Sequence, residues 1–201
     1  MQIKQINILD LLTAYNIEIC KAILSTFLCP LNKDVEDFIH TKAINFAIQR
    51  IAITFLVFVE TDTGPILAGY YALSNKSVTL SGCMLSKTLR KKISKFSQYD
   101  SQSEYFHISM PLIAQLGKNF SAPSTQHSLT GNHLLTLACN RVSQAQKLIG
   151  GKPTYIECNF NTKLYNFYSR NNFYQFGQRK GNKANLSDNQ VFIQIVKYLK
   201  D

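Results

Sequence analysis

Acidic residues are scarce in this sequence. Its 201 residues include 12 Asp and Glu against 22 Lys and Arg, which gives a formal net charge of +10. Such an imbalance favours an anionic partner, either a phosphate-rich cofactor or a nucleic acid. Charge alone is equally compatible with a basic protein that binds no particular anion.

Metal-binding and disulfide patterns are also missing. The five cysteines form no CxxC pair, and the four histidines have no metal-ligand spacing with cysteines or carboxylates. We therefore expect reduced, mostly buried thiols and no bound metal.

Long apolar runs are absent as well. The longest, such as residues 55–59, are far shorter than the ~20 residues that a membrane span needs. The first residues carry no long apolar stretch behind a basic region, so no secretory signal is predicted. These absences predict a soluble, cytoplasmic protein without a membrane partner.

Apolar residues nevertheless suffice for a full core. They make up 45% of the chain, so we expect a single domain over residues 1–201, without repeats or low-complexity tracts. Their spacing predicts the order β-α-α-β-β, a basic segment, and then β-α-β-α-β-β, which is an α/β fold with a mixed sheet.

The expected elements follow from this spacing. Expected strands cover residues 4–9, 51–60, 65–73, 106–116, 154–158, 174–178 and 191–197. Expected helices run from a cap at Asp10 to Ile23, begin at Asn32 or Asp34, span Gly131–Ile149, and span Thr162–Asn171. The long helix should end at Gly150-Gly151. Its residues at helical spacing are Leu134, Leu135, Ala138, Val142, Ala145 and Leu148.

The basic segment, residues 86–104, stands apart from these elements. Its five cations are Lys87, Arg90, Lys91, Lys92 and Lys95. We expect a short basic helix followed by a loop. Together with Arg179, Lys180 and Lys183, these cations are candidates to contact an RNA backbone, and a solvated charged face is the alternative.

Two short segments lie at the starts of predicted helices, where unpaired N–H groups and the helix dipole favour an anion. The first, Gln126–Gly131, includes the hydroxyls of Ser128 and Thr130 and ends in a glycine that a phosphate can approach closely. Taken alone, such a loop more often only caps a helix. The second segment is Asn161–Tyr168.

The first segment resembles the pyrophosphate loop of the GNAT superfamily of acetyl-CoA-dependent N-acetyltransferases. That loop reads Gln/Arg-x-x-Gly-x-Gly/Ala, and Gln126 and Gly131 match its two ends. Leu129 stands where the family has its middle glycine, and a leucine cannot freely take the positive φ that a glycine adopts.

The second segment is similar to the family motif Asn-x-x-Ala-x-x-Phe/Leu-Tyr-x-x-x-Gly-Phe. The matching residues are Asn161, Phe167, Tyr168 and Phe173, while Leu164 and Asn172 replace the usual Ala and Gly. In the front half of the chain, residues 27–32 and 69–74 look like those of GNAT proteins related to the tRNA-acetylating toxins. The resemblance thus covers most of the chain except the basic segment.

The resemblance implies a mixed, mostly antiparallel twisted sheet of six to seven strands, with helices on both faces and a V-shaped split between central strands. Acetyl-CoA would lie in that split as a co-substrate. One backbone N–H near Phe120 would polarise the thioester carbonyl. The implied cofactor-binding residues are Asn119, Phe120, Ser121, Gln126, His127, Ser128, Leu129, Thr130, Gly131, Asn132 and Asn161.

The resemblance also implies a general acid, Tyr168, whose phenol would protonate the departing thiolate. Without the resemblance, packing of an aromatic residue on an amphipathic helix is the alternative. The base is left open between His107, Glu157 and a water chain. The alternatives are that His107 is an ordinary strand residue and that Glu157 pairs with a neighbouring cation or faces solvent.

The function predicted in this way is transfer of an acetyl group from acetyl-CoA to a primary amine by direct attack. The acceptor is left open between an aminoacyl-tRNA, a protein or peptide amine, and a small amine. A non-catalytic basic module that keeps the fold and binds nucleic acid or a protein is the alternative. The resemblance allows a homodimer, because GNAT proteins often form dimers.

Overall fold

A computed structural model describes residues 2–121, 129–180 and 191–199. Within these residues the strands are β1 (Ile3–Asn7), β2 (Ile53–Thr61), β3 (Gly64–Ser81), β4 (Gln98–Asp100), β5 (Tyr105–Lys118), β6 (Pro153–Asn159), β7 (Tyr174–Lys180) and β8 (Val191–Tyr198). The helices are α1 (Ile8–Ala14), α2 (Ile17–Ser25), α3 (Lys33–Asp37), α4 (Ala43–Ile48), α5 (Lys87–Ile93), α6 (Gly131–Ile149) and α7 (Thr162–Arg170). A π-helical turn, Phe38–Lys42, joins α3 to α4.

The chain divides into two compact units that are both discontinuous in sequence. The first unit is Met1–Ser74 with Ile113–Asn140, and the second is Asn75–Leu112 with Arg141–Asp201. Three elements, β3, β5 and α6, contribute residues to both units.

In the first unit, β2 is the middle strand of an antiparallel set. It pairs with β1 on one side and with β3 on the other, where Leu56 lies opposite Tyr70. Helices α1 and α4 pack on β2, which is buried over most of its length. The predicted hairpin of residues 51–60 and 65–73 is therefore confirmed, and its second strand continues to Ser81.

The first helix of the chain starts earlier than expected and is interrupted. The Asn7 side chain accepts a hydrogen bond from the Leu9 N–H (3.0 Å), so α1 begins at Ile8 and the cap predicted at Asp10 is wrong. A second asparagine, Asn16, accepts from the Ile19 N–H (2.9 Å) and starts α2. Asparagine side chains compete for backbone N–H groups in this way, so one expected helix becomes two.

In the second unit, β5 pairs antiparallel with β4 and parallel with β6, at Leu112 opposite Tyr155. Strand β8 pairs antiparallel with both β6 and β7. The sheet is therefore mixed and mostly antiparallel, as expected. The eight strands exceed the expected six to seven because β4 forms where the sequence predicted a loop.

The basic segment folds against the end of β8. Ser86 caps α5 by accepting from the Leu89 N–H (3.2 Å), and Ile93 on the inner face is buried. After the helix, the Phe96 ring lies 6.4 Å from the ring of Tyr198. The predicted short basic helix is confirmed.

Helix α6 has the predicted bounds, and Gly150 and Gly151 end it with positive φ angles of 84° and 95°. Its last turn does not bury every apolar residue at helical spacing. Leu148 is 88% exposed, whereas Gln146 is buried and donates to the Pro153 carbonyl (2.9 Å). None of the described helices is both long and apolar enough to cross a membrane.

Candidate functional site

Asn119, directly after β5 in the first unit, is a buried polar residue with a fully engaged side chain. Its Nδ2 donates to the carbonyls of Thr26 (3.1 Å) and Leu67 (2.7 Å). Its Oδ1 accepts from the N–H groups of Leu28 (2.9 Å) and Ser121 (2.9 Å). These four bonds use both donor hydrogens and two acceptor sites of the amide.

The backbone N–H groups of residues 119–121 are also engaged. Asn119 donates to the Ala68 carbonyl (2.9 Å), Phe120 to the Leu28 carbonyl (2.8 Å), and Ser121 to the Asn119 side chain (2.9 Å). Polarisation of a thioester carbonyl by one of these groups therefore requires a ligand to displace an existing hydrogen bond.

The end of β5 is packed too closely for any side chain at Gly117. A Cβ built there would lie 2.5 Å from Val35 Cγ1 and 2.9 Å from atoms of Phe27 and Tyr70. The Tyr70 hydroxyl donates to the Val35 carbonyl (2.5 Å), and burial raises the pKa of this phenol well above its usual range. The backbone at Gly117, just before the expected cofactor-binding residues 119–121, thus packs closely against the rings of Phe27 and Tyr70.

Leu129, the residue in the place of the family's middle glycine, is a core residue. Its side chain is 0% exposed, and Cδ2 lies 3.2 Å from where a Cβ on Gly69 would stand. The Leu129 side chain, which the family's glycine lacks, thus occupies the space beside Gly69 on β3.

The start of α6 is closed by a reciprocal cap. The Thr130 hydroxyl accepts from the His133 N–H (3.2 Å), and the Thr130 N–H donates to His133 Nδ1 (3.4 Å). This arrangement is a capping box with histidine in the usual place of glutamate. Gly131 and Asn132 form the first turn between the two partners. The predicted site residues Gln126, His127 and Ser128 lie outside the described residues.

In the second unit, Asn161 is the N-cap of α7. Its Oδ1 accepts from the N–H groups of Lys163 (2.9 Å) and Leu164 (3.2 Å). Its side chain has this structural role whether or not it also contacts a cofactor.

Tyr168 lies on α7, 6% exposed, between two aromatic rings. Phe167 and Phe173 make edge-on contacts with it, at centroid distances of 5.0 Å and 5.7 Å. Asn172, which replaces the family's glycine just before Phe173, has a φ of 63°, a region that asparagine tolerates better than most residues. The backbone thus takes a left-handed turn at Asn172, and the ring of Tyr168 packs against both phenylalanines.

The two named candidates for the base already have partners. The Glu157 carboxylate pairs with the Arg179 guanidinium (Nε and Nη2 both 3.0 Å) and accepts from the Gln194 amide (2.8 Å). The prediction that Glu157 pairs with a cation is confirmed. His107 is an exposed strand residue, with Nδ1 3.3 Å from the Thr79 hydroxyl. Within the described ranges, no group of three or more His, Cys, Asp or Glu side chains is placed to hold a metal ion.

Sequence reasoning did not predict the side-chain roles of Glu36 and Asn119, two buried polar residues of the first unit. Glu36 accepts from the Cys29 N–H (2.7 Å) and pairs with Lys33, and these contacts, Lys33 first, hold the pKa of its carboxyl below the usual range. The one indication in the sequence was that Glu36 lies four residues after Asn32, a candidate helix cap. The Asn119 side chain gave none, because an asparagine after a strand resembles an ordinary turn residue.

No protein-family model and no curated protein matches the sequence. Solved structures do match it. A tyrosine-to-phenylalanine mutant of KacT matches with a TM-score of 0.62 and 22% identity, over 96% of this chain and 94% of that chain. AtaT complexed with acetyl-methionyl-tRNAfMet matches with a TM-score of 0.63 and 20% identity, over 95% and 94% of the two chains.

A third match is AtaTR bound with acetyl-CoA, with a TM-score of 0.52 and 17% identity over 94% of this chain and 91% of that chain. These matches extend over nearly the full length of both chains. The strand and helix order agrees with the one that apolar spacing predicted, apart from the interrupted first helix and the added strand β4. The chain therefore has the GNAT fold, in the form found in the toxins KacT and AtaT.

Proposed function

We propose that this protein is an N-acetyltransferase that transfers the acetyl group of acetyl-CoA directly to a primary amine. The observation that carries the proposal is its near full-length likeness to AtaT, which has been solved with acetyl-CoA and with an acetylated aminoacyl-tRNA. Described residues of the two GNAT-like motifs support the same activity: Gly131 begins α6, Asn161 caps α7, and Tyr168 lies in the last turn of α7.

The chemistry assigned to the chain needs few groups. The first turn of α6 supplies N–H groups and the positive end of a helix dipole to the pyrophosphate. The acceptor nitrogen attacks the thioester carbonyl carbon, the C–S bond breaks, and Tyr168 gives its phenolic proton to the departing thiolate. That thiolate resembles cysteine, with a pKa of roughly 8.5, so a phenol is a suitable donor.

We further propose an RNA-linked acceptor, an aminoacyl-tRNA. The α5 basic surface, defined as the exposed cations Lys87, Arg90, Lys91, Lys92 and Lys95, supports this acceptor. Exposed rings of Tyr99 and Tyr105 follow it in the chain and are available to stack on bases. Arg179 is a weaker candidate because it already pairs with Glu157 (3.0 Å).

Calorimetry with acetyl-CoA is the first test of the proposal. We expect calorimetry to show one acetyl-CoA site per chain. In a separate assay with labelled acetyl-CoA, we expect label on a pool of charged tRNAs and none on peptides or polyamines. Label on peptides or polyamines with none on the tRNAs contradicts the acceptor assignment alone. A protein that does not bind acetyl-CoA contradicts the enzyme assignment.

The role of the α5 basic surface is tested by replacing Lys87, Lys91 and Lys95 with glutamine. Lys92 is kept because its ammonium lies 5.6 Å from the Tyr198 ring centroid. We expect weaker tRNA binding, and a salt dependence whose log–log slope falls by roughly 0.7–0.9 for each phosphate that the variant no longer neutralises. The matched control replaces three other exposed lysines of the second unit, Lys76, Lys147 and Lys152. Equally weakened binding in both triple variants would mean that only net charge matters.

One observation favours the non-catalytic alternative. All three N–H groups of residues 119–121 donate within the protein. If acetyl-CoA does not bind and the α5 variants still lose RNA binding, the chain is a basic RNA-binding module on a GNAT fold.

A further inference from the structure

Leu28 is held through both of its backbone polar groups by the segment that follows β5. Its N–H donates to Asn119 Oδ1 (2.9 Å), and its carbonyl accepts from the Phe120 N–H (2.8 Å). The loop between α2 and α3 is therefore joined to residues 119–121 by two hydrogen bonds that meet at one residue.

The same asparagine holds two further parts of the first unit. Its Nδ2 donates to the carbonyls of Thr26 (3.1 Å) and Leu67 (2.7 Å), and its own N–H donates to the Ala68 carbonyl (2.9 Å). Asn119 is 1% exposed, so water cannot replace these partners. Removing the amide would take a partner from the buried Leu67 carbonyl and from three part-buried backbone groups, those of Thr26, Leu28 and Ser121.

The far end of the loop is fixed independently. The Cys29 N–H donates to Glu36 (2.7 Å), and Asn32 caps α3 by accepting from the Asp34 N–H (3.1 Å). Loss of the Asn119 side chain should therefore loosen the backbone of Thr26 and Leu28, while α3 and the buried ring of Phe27 stay in place. A change in the backbone of Thr26 and Leu28 can therefore be measured separately from any change in α3.

We propose that the Asn119 side chain is a positioning residue of the transferase site, which fixes Thr26–Leu28 against residues 119–121. This inference rests on the proposed function and on the expectation from the sequence that residues 119–121 lie beside the thioester. It differs from the role expected of Asn119 from its backbone, because the side chain acts through the neighbouring loop. The loop and the Asn119 side chain then hold the backbone of residues 119–121 in one arrangement.

The test compares Asn119→Leu and Asn119→Asp with the wild type. The leucine variant loses all four side-chain hydrogen bonds, whereas the aspartate variant keeps the two accepted from Leu28 and Ser121. We expect kcat to fall about 10- to 100-fold in the leucine variant, the range that misplacement by about 1 Å produces. We expect an intermediate kcat in the aspartate variant and an acetyl-CoA Kd within about threefold of wild type in both.

Hydrogen exchange gives a readout that does not depend on activity. The amides of Leu28 and Ser121 should exchange faster in Asn119→Leu and stay protected in Asn119→Asp. The matched control is Leu56→Ala, a fully buried change on β2 in the same unit. It should lower the melting temperature while leaving kcat at 25 °C and the Leu28 exchange rate unchanged.

The outcomes separate this inference from the proposed function. Wild-type kcat in Asn119→Leu, or a Leu28 amide that stays protected in that variant, overturns the positioning role and leaves the transferase proposal standing. A wild type that does not bind acetyl-CoA overturns the proposed function, and the positioning role with it. If Asn119→Leu does not fold, the test uses Asn119→Asp, which lacks the hydrogen bonds donated to Thr26 and Leu67. A wild-type kcat in Asn119→Asp then also overturns the inference.

Discussion

Tyr168 has the most specific chemical task among the residues of the proposed reaction. Its ring is fixed between Phe167 and Phe173, so replacing it by phenylalanine removes the hydroxyl and little else. We expect Tyr168→Phe to lower kcat by about 10²-fold or more, as loss of a general acid does, with an unchanged acetyl-CoA Kd. Steady-state kinetics and calorimetry measure the two quantities.

Tyr165 offers a matched control for that change. It lies on the same helix, one turn earlier, and is only partly buried. Tyr165→Phe should leave kcat within about twofold of wild type, the result for a hydroxyl that takes no part in the transition state. Equal effects of the two substitutions would assign Tyr168 to packing.

Leu129 shows how a departure from a family motif is accommodated by packing. Restoring the family residue, Leu129→Gly, removes a fully buried side chain beside Gly69 and leaves a cavity. We expect it to lower the free energy of unfolding by about 2–5 kcal/mol, measured by urea denaturation. Leu31→Ala, at a position 80% exposed, is the control and should change stability by no more than about 0.5 kcal/mol. A Leu129→Gly protein as stable as wild type contradicts the core assignment.

At the scale of the element, Asn161 carries two competing assignments. Asn161→Ala should lower the free energy of unfolding by about 1 kcal/mol, because the Lys163 and Leu164 N–H groups lose their cap. Asn161→Ser keeps a capping oxygen and should restore most of that loss. If the serine variant is stable and still binds acetyl-CoA more weakly, the amide also contacts the cofactor; unchanged binding limits Asn161 to the cap.

Elements with strong apolar spacing were predictable, and those set by individual side chains were not. The bounds of α6 follow from its amphipathic face and the two glycines after it, and the structure agrees with them. The break between α1 and α2 depends on the Asn16 side chain, which apolar spacing does not encode. Strand β4 escaped prediction because three polar and aromatic residues in a basic segment resemble a loop.

The candidate site shows the same limit more sharply. The helix starts at Gly131 and Asn161 could be found from local motifs. Three of the four partners of the Asn119 side chain lie 52, 91 and 93 residues away in sequence, so no local pattern indicates them. Tertiary structure alone brings these groups together.

At the scale of the molecule, acid stability depends on Glu36. Its carboxyl pKa is lowered on folding, by Lys33 first and then by the Cys29 N–H. A lowered folded-state pKa stabilises the protein above the unfolded-state value, about 4.3, and this contribution is lost as pH falls through the folded-state pKa. We therefore expect the free energy of unfolding of Glu36→Gln to decline less than that of wild type below that pH.

Urea denaturation between neutral pH and about pH 3 measures this difference. The control is Glu18→Gln, which removes an exposed pair with Lys21 (3.2 Å). It should follow the wild-type curve, because exposed pairs contribute little to stability. If the free energy of unfolding falls equally with decreasing pH in wild type and Glu36→Gln, the proposed contribution of Glu36 to acid stability is contradicted.

The position of Asn119 has a consequence for folding during synthesis. The first unit is made of two stretches of chain, and the carbonyls of Thr26 and Leu67 and the N–H of Leu28 find their buried partner only in the second stretch. On the ribosome, residues 1–74 can form local helices and the β2–β3 hairpin but cannot pair these groups. The first unit therefore cannot complete its hydrogen bonds to the Asn119 side chain until residue 119 has left the ribosome. The length of the segment between the two stretches thus sets the delay before this unit can finish folding.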